Sequence, residues 1–236
     1  MATIDTHQHG APSTGPSTGF DSRPYHERYK AASHFRDREH EFDAVKMGVW
    51  LFLSTEVLLF SGMFVAYAVL RFLHPEAFVN GSHYLDRIPG LANTIVLLLS
   101  SYTIASAVRN AQLGQFGKLK LNLLITNLCA IAFLLIKFIF EYGPKIAQGK
   151  LPGKLFHYPG AHDPSEPLWW GIYWAATGIH ATHVIGGIIM ISWLLVRANK
   201  RHFGPTHYTA IEGVALYWHI VDIVWIFLFP LLYLIH

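Results

Sequence analysis

Five long apolar stretches constrain the fold of this chain more than any other feature. Together they contain only three charged residues, Glu56, Lys137 and Asp222, although the chain has 18 Lys and Arg and 15 Asp and Glu. A helix needs about 20 residues to cross a hydrocarbon core of about 30 Å. We therefore predict an all-α integral membrane protein, a bundle of five transmembrane helices. The spans are expected at residues 47–70, 91–108, 121–140, 169–196 and 213–235.

The third stretch differs from the others because Lys137 lies near its end. A lysine in that position is expected to extend its long side chain to the lipid headgroups. Glu141 follows four residues later and could pair with it, but a salt bridge at an interface adds little. A β-barrel is not indicated, since it would need segments of about 10 residues with alternating polarity.

The distribution of Lys and Arg predicts the orientation. Residues 1–46 carry six of them, and the connections 109–120 and 197–212 carry three each, so twelve of the 18 share one side. The positive-inside rule places that side and the N-terminus in the cytoplasm and the C-terminus outside. Residues 1–44 are predicted to be a polar cytoplasmic tail, in which His7 and His9 are solvated, and residues 45–236 the transmembrane domain. The net charge of +3 is too small to indicate a nucleic-acid partner.

Cys129 is the only cysteine, and it lies inside an apolar stretch. A single cysteine rules out an internal disulfide, a two-cysteine copper centre, a CxxCH haem attachment and an iron–sulfur cluster held by this chain alone. We interpret Cys129 as a small core residue.

Glu56 lies near the middle of the first stretch, in WLFLSTEVLLF. A carboxyl inside the membrane marks a candidate functional site, because it is costly to bury unless it is neutral or paired. No basic residue is near it on its own helix, so its partner must come from elsewhere. We expect it to be protonated or to share a proton, with a purely structural hydrogen bond to another helix as the alternative.

The fourth stretch contains TGIHATHVIGG at residues 177–187. Gly178, Thr182 and Gly186 recur every four residues and predict a face for close helix packing. His180 and His183 are one turn apart and could in principle bind a metal or accept protons. No cysteine and no third ligand on this helix completes a metal site, so we predict histidines that hydrogen-bond between helices.

The last stretch carries a polar stripe. At 100° per residue, Glu212, His219 and Asp222 lie within a sector of about 80°. This stripe should face protein, with Asp222 accepting a hydrogen bond from an imidazole or an indole. It could be a proton relay through His219 and Asp222 or a simple contact between helices.

Several segments together resemble subunit III of the haem–copper respiratory oxidases, which reduce oxygen to water and pump protons. Any one segment would be moderate evidence, but several in the family's order make chance agreement implausible. The resemblance runs from about residue 47 to the C-terminus. It covers GVWLFLSTEVLLFSGMF, LANTIVLLLSSYTIASA, the glutamate at 141, ATGIHATHVIGG and EGVALYWHIVDIVWIFLF.

The resemblance implies roles for individual residues. Glu56 would be the family's membrane-buried carboxylate, which reacts with carbodiimides. The other matching positions are Glu141, His180, His183, Glu212, His219, Asp222 and Trp225. None is catalytic and none is a metal or redox ligand. Haem and copper are expected in partner subunits, and none in this chain.

The resemblance also implies partners and location. Subunit III of this family packs against subunit I, binds phospholipid in a cleft between helix groups and helps to sustain proton uptake. Subunit II is a further expected partner, and a small subunit IV and a supercomplex with another respiratory complex are to be considered. Short members are bacterial, so the bacterial inner membrane is expected. Longer members have seven helices and this chain enters where they enter their third, so a neighbour could close the lipid cleft.

Three alternatives stay open. The oxidase could take electrons from quinol, because five-helix third subunits occur in both cytochrome c oxidases and quinol oxidases. A dihaem cytochrome b anchor would need four suitably placed histidines. The spans contain only His180, His183 and His219. A transporter or channel would fit the intramembrane acids, but no internal repeat supports it.

Overall fold

A computed structural model describes residues 29, 33–161 and 164–235, and most of the predicted tail, with His7 and His9, lies outside them. Within the described residues the chain is helical, with two isolated β-bridges and no strand. A π-helical turn, Lys137–Tyr142, and a short 3-10 turn, Gly153–Leu155, complete the secondary structure. The helices are α1 (Arg38–Leu73), α2 (Pro75–His83), α3 (Arg87–Gln112), α4 (Phe116–Ile136), α5 (Gly143–Ala147), α6 (Glu166–Asn199) and α7 (Thr209–Tyr233).

Five helical segments of the described chain are long and apolar enough to cross a membrane, and this confirms the predicted bundle. They are α1, α3, the segment Phe116–Ala147, α6 and α7. The first extends well beyond its apolar stretch. It begins at Arg38, where the Asp37 side chain caps the helix by accepting a hydrogen bond from the His40 amide at 2.8 Å. It ends at Leu73, because the following Pro75 disfavours helical geometry in the residue before it.

The third span is not the plain α-helix that the sequence predicts. Its α-helical part ends at Ile136, and the π-helical turn carries both Lys137 and Glu141 before α5 resumes at Gly143. A π-helical turn widens the helix locally and is often found at functional sites. The wider turn changes the direction of the side chains that follow it.

The helix α7 is the centre of the bundle. It contacts α1, α2, α3 and α6. In the most apolar 18 residues of α7, 56% of the residues are buried, compared with 11% of the corresponding residues in α1. Among the described residues, α1 contacts α2, α6 and α7 but neither α3 nor α4. A groove of about 950 Å³ lies between α1 and α7. The first span is therefore the one least attached to the rest of the chain.

The bundle has two ends, which we call the N-terminal face, where α1 begins, and the distal face, where α1 ends. The connection after α5 folds onto the distal face. There the Lys150 ammonium lies 4.0 Å from the ring centroid of Tyr84 and 4.3 Å from that of Tyr158. Burial in this aromatic surrounding lowers the pKa of Lys150. Lys150 is therefore packed against the bundle, whereas residues 153–155 of the same connection are exposed.

Candidate functional site

Glu56 on α1 and His183 on α6 form a polar contact between two spans. The Oε2 atom of Glu56 lies 2.7 Å from Nε2 of His183. On the other side of the ring, Nδ1 lies 2.7 Å from the carbonyl oxygen of Ile179. Only 14% of the Glu56 side chain and 16% of the His183 side chain is exposed. The prediction that Glu56 finds its partner on another helix is confirmed.

The geometry of this pair determines how many protons it holds. The carbonyl oxygen of Ile179 can only accept, so Nδ1 of His183 must carry a hydrogen. The contact between Nε2 and Oε2 then needs one more proton, which sits on either the imidazole or the carboxyl. Both arrangements have no net charge, since one is an ion pair and the other is two neutral groups. The pair can therefore move a proton between its members without adding charge to the membrane interior.

The backbone and rings around the pair keep it in place. Tyr217 on α7 donates its hydroxyl to the carbonyl oxygen of His183 at 2.9 Å. The ring of Phe60 stands edge-on to the imidazole, with 5.1 Å between the centroids. Three helices, α1, α6 and α7, thus fix the position of one imidazole.

His180 lies one turn from His183 but in a different environment. It is 1% exposed, and neither ring nitrogen has a hydrogen bond within the described part of the chain. Its ring packs against Phe133 and Trp225, with centroids 5.5 and 5.3 Å apart. The prediction of histidines bonded between helices is confirmed for His183 and wrong for His180, because at 100° per residue the two rings point to different neighbours.

The three residues of the polar stripe on α7 lie in separate surroundings, and two of them make a polar contact. Glu212 forms an ion pair with Lys46 at 2.9 Å near the N-terminal face, and His219 Nδ1 lies 2.8 Å from the Ser101 hydroxyl on α3. Asp222 is 3% exposed, and neither carboxyl oxygen has a hydrogen bond among the described residues. The prediction that Asp222 accepts from an imidazole or an indole is wrong. The indole on this helix hydrogen-bonds to a hydroxyl instead, because Trp225 donates to Thr94 at 3.1 Å.

Glu141 lies at the centre of a fully buried cluster in the distal half of the bundle. Its Oε2 atom lies 2.5 Å from the Lys137 ammonium and accepts from the Tyr173 hydroxyl at 2.9 Å. It also accepts from Tyr233, and the Lys145 ammonium lies 3.7 Å away. Lys137 donates to Tyr233 at 2.6 Å, and its charge lies 4.8 Å from the centroid of Trp225.

The interface interpretation of Lys137 and Glu141 is wrong. Lys137 is 1% exposed and Glu141 is 0% exposed, so neither side chain reaches headgroups. The sequence offered one signal that could have found the cluster. Phe133, Lys137 and Glu141 repeat every four residues, which continues the buried face of α4. The aromatic residues that enclose the charges, Tyr173 and Tyr233, were not identified because nothing in a single sequence pairs them with the third span.

The small-residue stripe on α6 does not pack against the rest of this chain as a unit. A side chain at Gly178 would meet nothing within 4 Å, and Thr182 is exposed. At Gly186 only the Tyr217 hydroxyl lies close, at 3.3 Å. The close approach within the chain is instead at Gly187, which lies directly against the Trp218 ring. The Gly178 side of α6 is therefore open on the surface of this chain.

The groove between α1 and α7 has apolar walls and one cation. Arg71 lines it near the distal end, beside Tyr67, whose hydroxyl donates to the carbonyl oxygen of Leu231 at 2.5 Å. A long apolar slot that ends at an arginine suits an acyl chain with an anionic headgroup. The other apolar wall residues include Phe60, Phe64, Ile223 and Phe227.

The described residues contain no group of three or more His, Cys, Asp or Glu side chains that could hold a metal ion. Metal sites in proteins need three or four such ligands at bonding distance. The chemistry that the arrangement supports is proton transfer and hydrogen bonding between helices.

Comparison with known proteins adds independent information. Residues 33–236 match the family model described as cytochrome c oxidase subunit III. A probable cytochrome c oxidase subunit 3 of Mycobacterium bovis is 32% identical over 192 residues, which cover 81% of this chain and 88% of that protein.

Two further relatives come from other organisms. The cytochrome bo(3) ubiquinol oxidase subunit 3 of Pseudomonas putida is 30% identical, over 80% of this chain and 84% of that protein. The cytochrome c oxidase subunit 3 of Loxodonta africana is 31% identical, over 81% of this chain and 69% of that protein. The matches therefore include relatives named for either electron donor.

Proposed function

The chain belongs to the cytochrome c oxidase subunit III family of the haem–copper oxidases, and we propose that it is the accessory third subunit of a proton-pumping cytochrome c oxidase. In this role it carries no redox centre, stabilises subunit I, binds phospholipid and supports proton uptake. The observation that carries the proton role is the Glu56–His183 pair, because it holds one transferable proton inside the membrane.

The supporting role is favoured by the ligand chemistry of the chain. Cys129 is its only cysteine, and His180 and His183 contact different groups, so the two imidazoles of the fourth span do not converge. The same divergence counts against the dihaem anchor, which needs paired axial ligands at two depths. Haem and copper are accordingly assigned to the partner subunits.

Subunit I is the proposed main partner, and the open side of the bundle is its proposed binding surface. Only 11% of the residues in the most apolar part of the first span are buried, and the Gly178 side of α6 is open. Association inside lipid depends on close packing and hydrogen bonds, since apolar burial adds little between helices already in hydrocarbon. Subunit II and a small subunit IV would complete the complex.

Phospholipid is proposed to occupy the groove between α1 and α7. The apolar walls would take an acyl chain, and Arg71 would pair with an anionic headgroup near the distal face. A neighbouring polypeptide could close this groove on its open side. The proposed location is the bacterial inner membrane, with the Lys- and Arg-rich N-terminal face in the cytoplasm.

Purification of the tagged chain from its own membranes in a mild detergent tests the function. We expect a haem- and copper-containing polypeptide to co-purify, and a subunit II with copper or haem c would indicate cytochrome c as the donor. A subunit II without either would indicate the alternative, a quinol oxidase. Recovery of the chain without any haem protein would contradict both.

A hydrophobic carbodiimide is expected to modify Glu56 in intact membranes, because the reagent reacts with protonated carboxyls that it reaches from lipid. Mass spectrometry of the labelled peptide measures the reaction. Glu56→Gln should abolish the label, whereas Glu212→Gln should leave it unchanged, because Glu212 is paired with Lys46 near the N-terminal face. No label at Glu56 in the wild-type protein would contradict a carboxyl that holds or shares a proton.

A further inference from the structure

The distal half of the bundle contains a charge cluster that the proposed function does not use. We propose that Lys137, Glu141 and Lys145 form a proton-exchanging site, in which Lys145 releases a proton to water at the distal face and takes it back. The site is separate from the Glu56–His183 pair, and its existence does not depend on which oxidase the chain serves. Its ligand is the proton itself.

The first argument is a charge count. Two ammonium groups face one carboxylate, and all three side chains are 7% exposed or less. With both lysines protonated the cluster would carry one net positive charge in a dry interior. Such a charge is costly to bury, whereas one protonated lysine and one carboxylate are electrically balanced. The favoured state of the cluster therefore has one neutral lysine.

The second argument identifies which lysine is neutral. Lys137 makes two short hydrogen bonds, to Glu141 and to Tyr233, and three aromatic rings lie within 5.3 Å of its ammonium. These contacts stabilise a cation. Lys145 lies 3.7 Å from the same carboxylate oxygen, beyond hydrogen-bond distance, and among the described residues only the Tyr173 ring is near it, at 5.1 Å. Removing a proton from Lys145 therefore breaks fewer stabilising contacts than removing a proton from Lys137.

The third argument concerns access to water. Lys145 belongs to α5, the last turn of the third span, and the next three residues of the chain, 146–148, are exposed. Lys137 lies two helical turns deeper and is 1% exposed. The two lysines lie four residues before and four residues after Glu141, and both ammonium groups are within 4 Å of the same carboxylate oxygen. Lys145 is thus the member through which the cluster can exchange a proton with the distal face.

The charges of the described groups that face Lys145 nearly cancel one another. From the third span these groups are Glu141 and Lys137, and from α6 the Tyr173 phenol. Asp86, in the turn before α3, and Lys150, in the connection after α5, act on it at longer range with opposite signs. In the exchange, the Lys145 ammonium becomes an amine and the proton goes to water, so the cluster alternates between one positive charge and none.

Nitrogen-15 NMR of the lysine side chains in the purified complex tests the proposal directly. Lys145→Met and Lys137→Met identify the two signals. We expect the Lys145 signal to change between the ammonium and the amine form across a pH series in which the Lys137 signal keeps the ammonium form. A Lys145 signal that stays in the ammonium form at every pH of the series, as Lys137 does, would overturn the proposal.

A pair of substitutions provides a second test that does not need resolved signals. Arginine cannot lose its proton, so Lys145→Arg would force a net positive charge into the cluster, whereas Lys145→Met leaves the neutral pair of Lys137 and Glu141. We expect the methionine variant to melt near the wild-type temperature and the arginine variant to melt lower and to be recovered less. The reverse order, with arginine tolerated and methionine not, would show a permanent ion pair and refute proton exchange.

Discussion

Replacing Glu141 with glutamine is expected to destabilise the protein by about 3–5 kcal/mol, the cost of leaving a buried charge without its partner. The substitution removes the carboxylate that Lys137, Tyr173 and Tyr233 share while keeping the size of the side chain. Thermal unfolding of the purified complex in detergent, together with the amount of chain recovered from membranes, measures the effect.

Two controls separate the buried ion pair from a general effect of losing a carboxylate. Glu212→Gln breaks the ion pair with Lys46, whose side chain is 41% exposed, and an exposed pair contributes about 0–1 kcal/mol. Adding Lys137→Met to Glu141→Gln removes the unpaired charge and should recover part of the lost stability. Equal destabilisation by Glu141→Gln and Glu212→Gln would contradict a structural role for the cluster.

The second large effect is expected at Gly187. A methyl group there would overlap the ring of Trp218, which is fully buried and donates its indole hydrogen to Ser100 at 3.0 Å. Overpacking of this kind costs about 1–3 kcal/mol. Gly187→Ala should therefore lower the melting temperature of the chain by separating α6 from α7.

Gly178→Ala is the matched control, because it lies on the same helix with nothing within 4 Å of the added carbon. It should leave the melting temperature of the chain unchanged or raise it, since alanine favours a helix over glycine by up to about 1 kcal/mol.

A larger side chain at Gly178 tests the proposed partner surface instead. Gly178→Leu should reduce co-purification of the proposed partner, subunit I, and undiminished recovery would count against packing on this face.

The membrane helices could be predicted because their cause is local. Each apolar stretch must satisfy its own backbone hydrogen bonds in hydrocarbon, so a run of about 20 residues without charge becomes a helix whatever its neighbours are. The same independence explains why α1 is correctly predicted as a span although only 11% of its apolar window is buried in this chain. The family motifs could also be read directly, since they are continuous segments.

The candidate site was only partly predictable. That Glu56 needs a partner on another helix follows from the cost of a lone carboxyl in lipid. That the partner is His183 and not His180 depends on how α6 is rotated against α1, and a single turn of sequence does not specify this rotation. The sequence predicts that an imidazole or an indole donates to Asp222. In the structure His219 and Trp225 contact hydroxyls of α3 instead, because several polar residues of α3 lie close to α7.

The number, approximate position and helical nature of the spans, and the residues that carry charge into them, were determined by the sequence alone, because chain composition sets the free energy of each segment in lipid. Only the tertiary structure decided whether those charges face lipid, protein or one another. Lys137 shows the physical reason: its position near the end of a span permits a side chain that reaches water, but the phenols of two distant helices enclose it beside Glu141. Contacts between helices that are far apart in the chain depend on rotation and depth, and these quantities arise only when the helices pack.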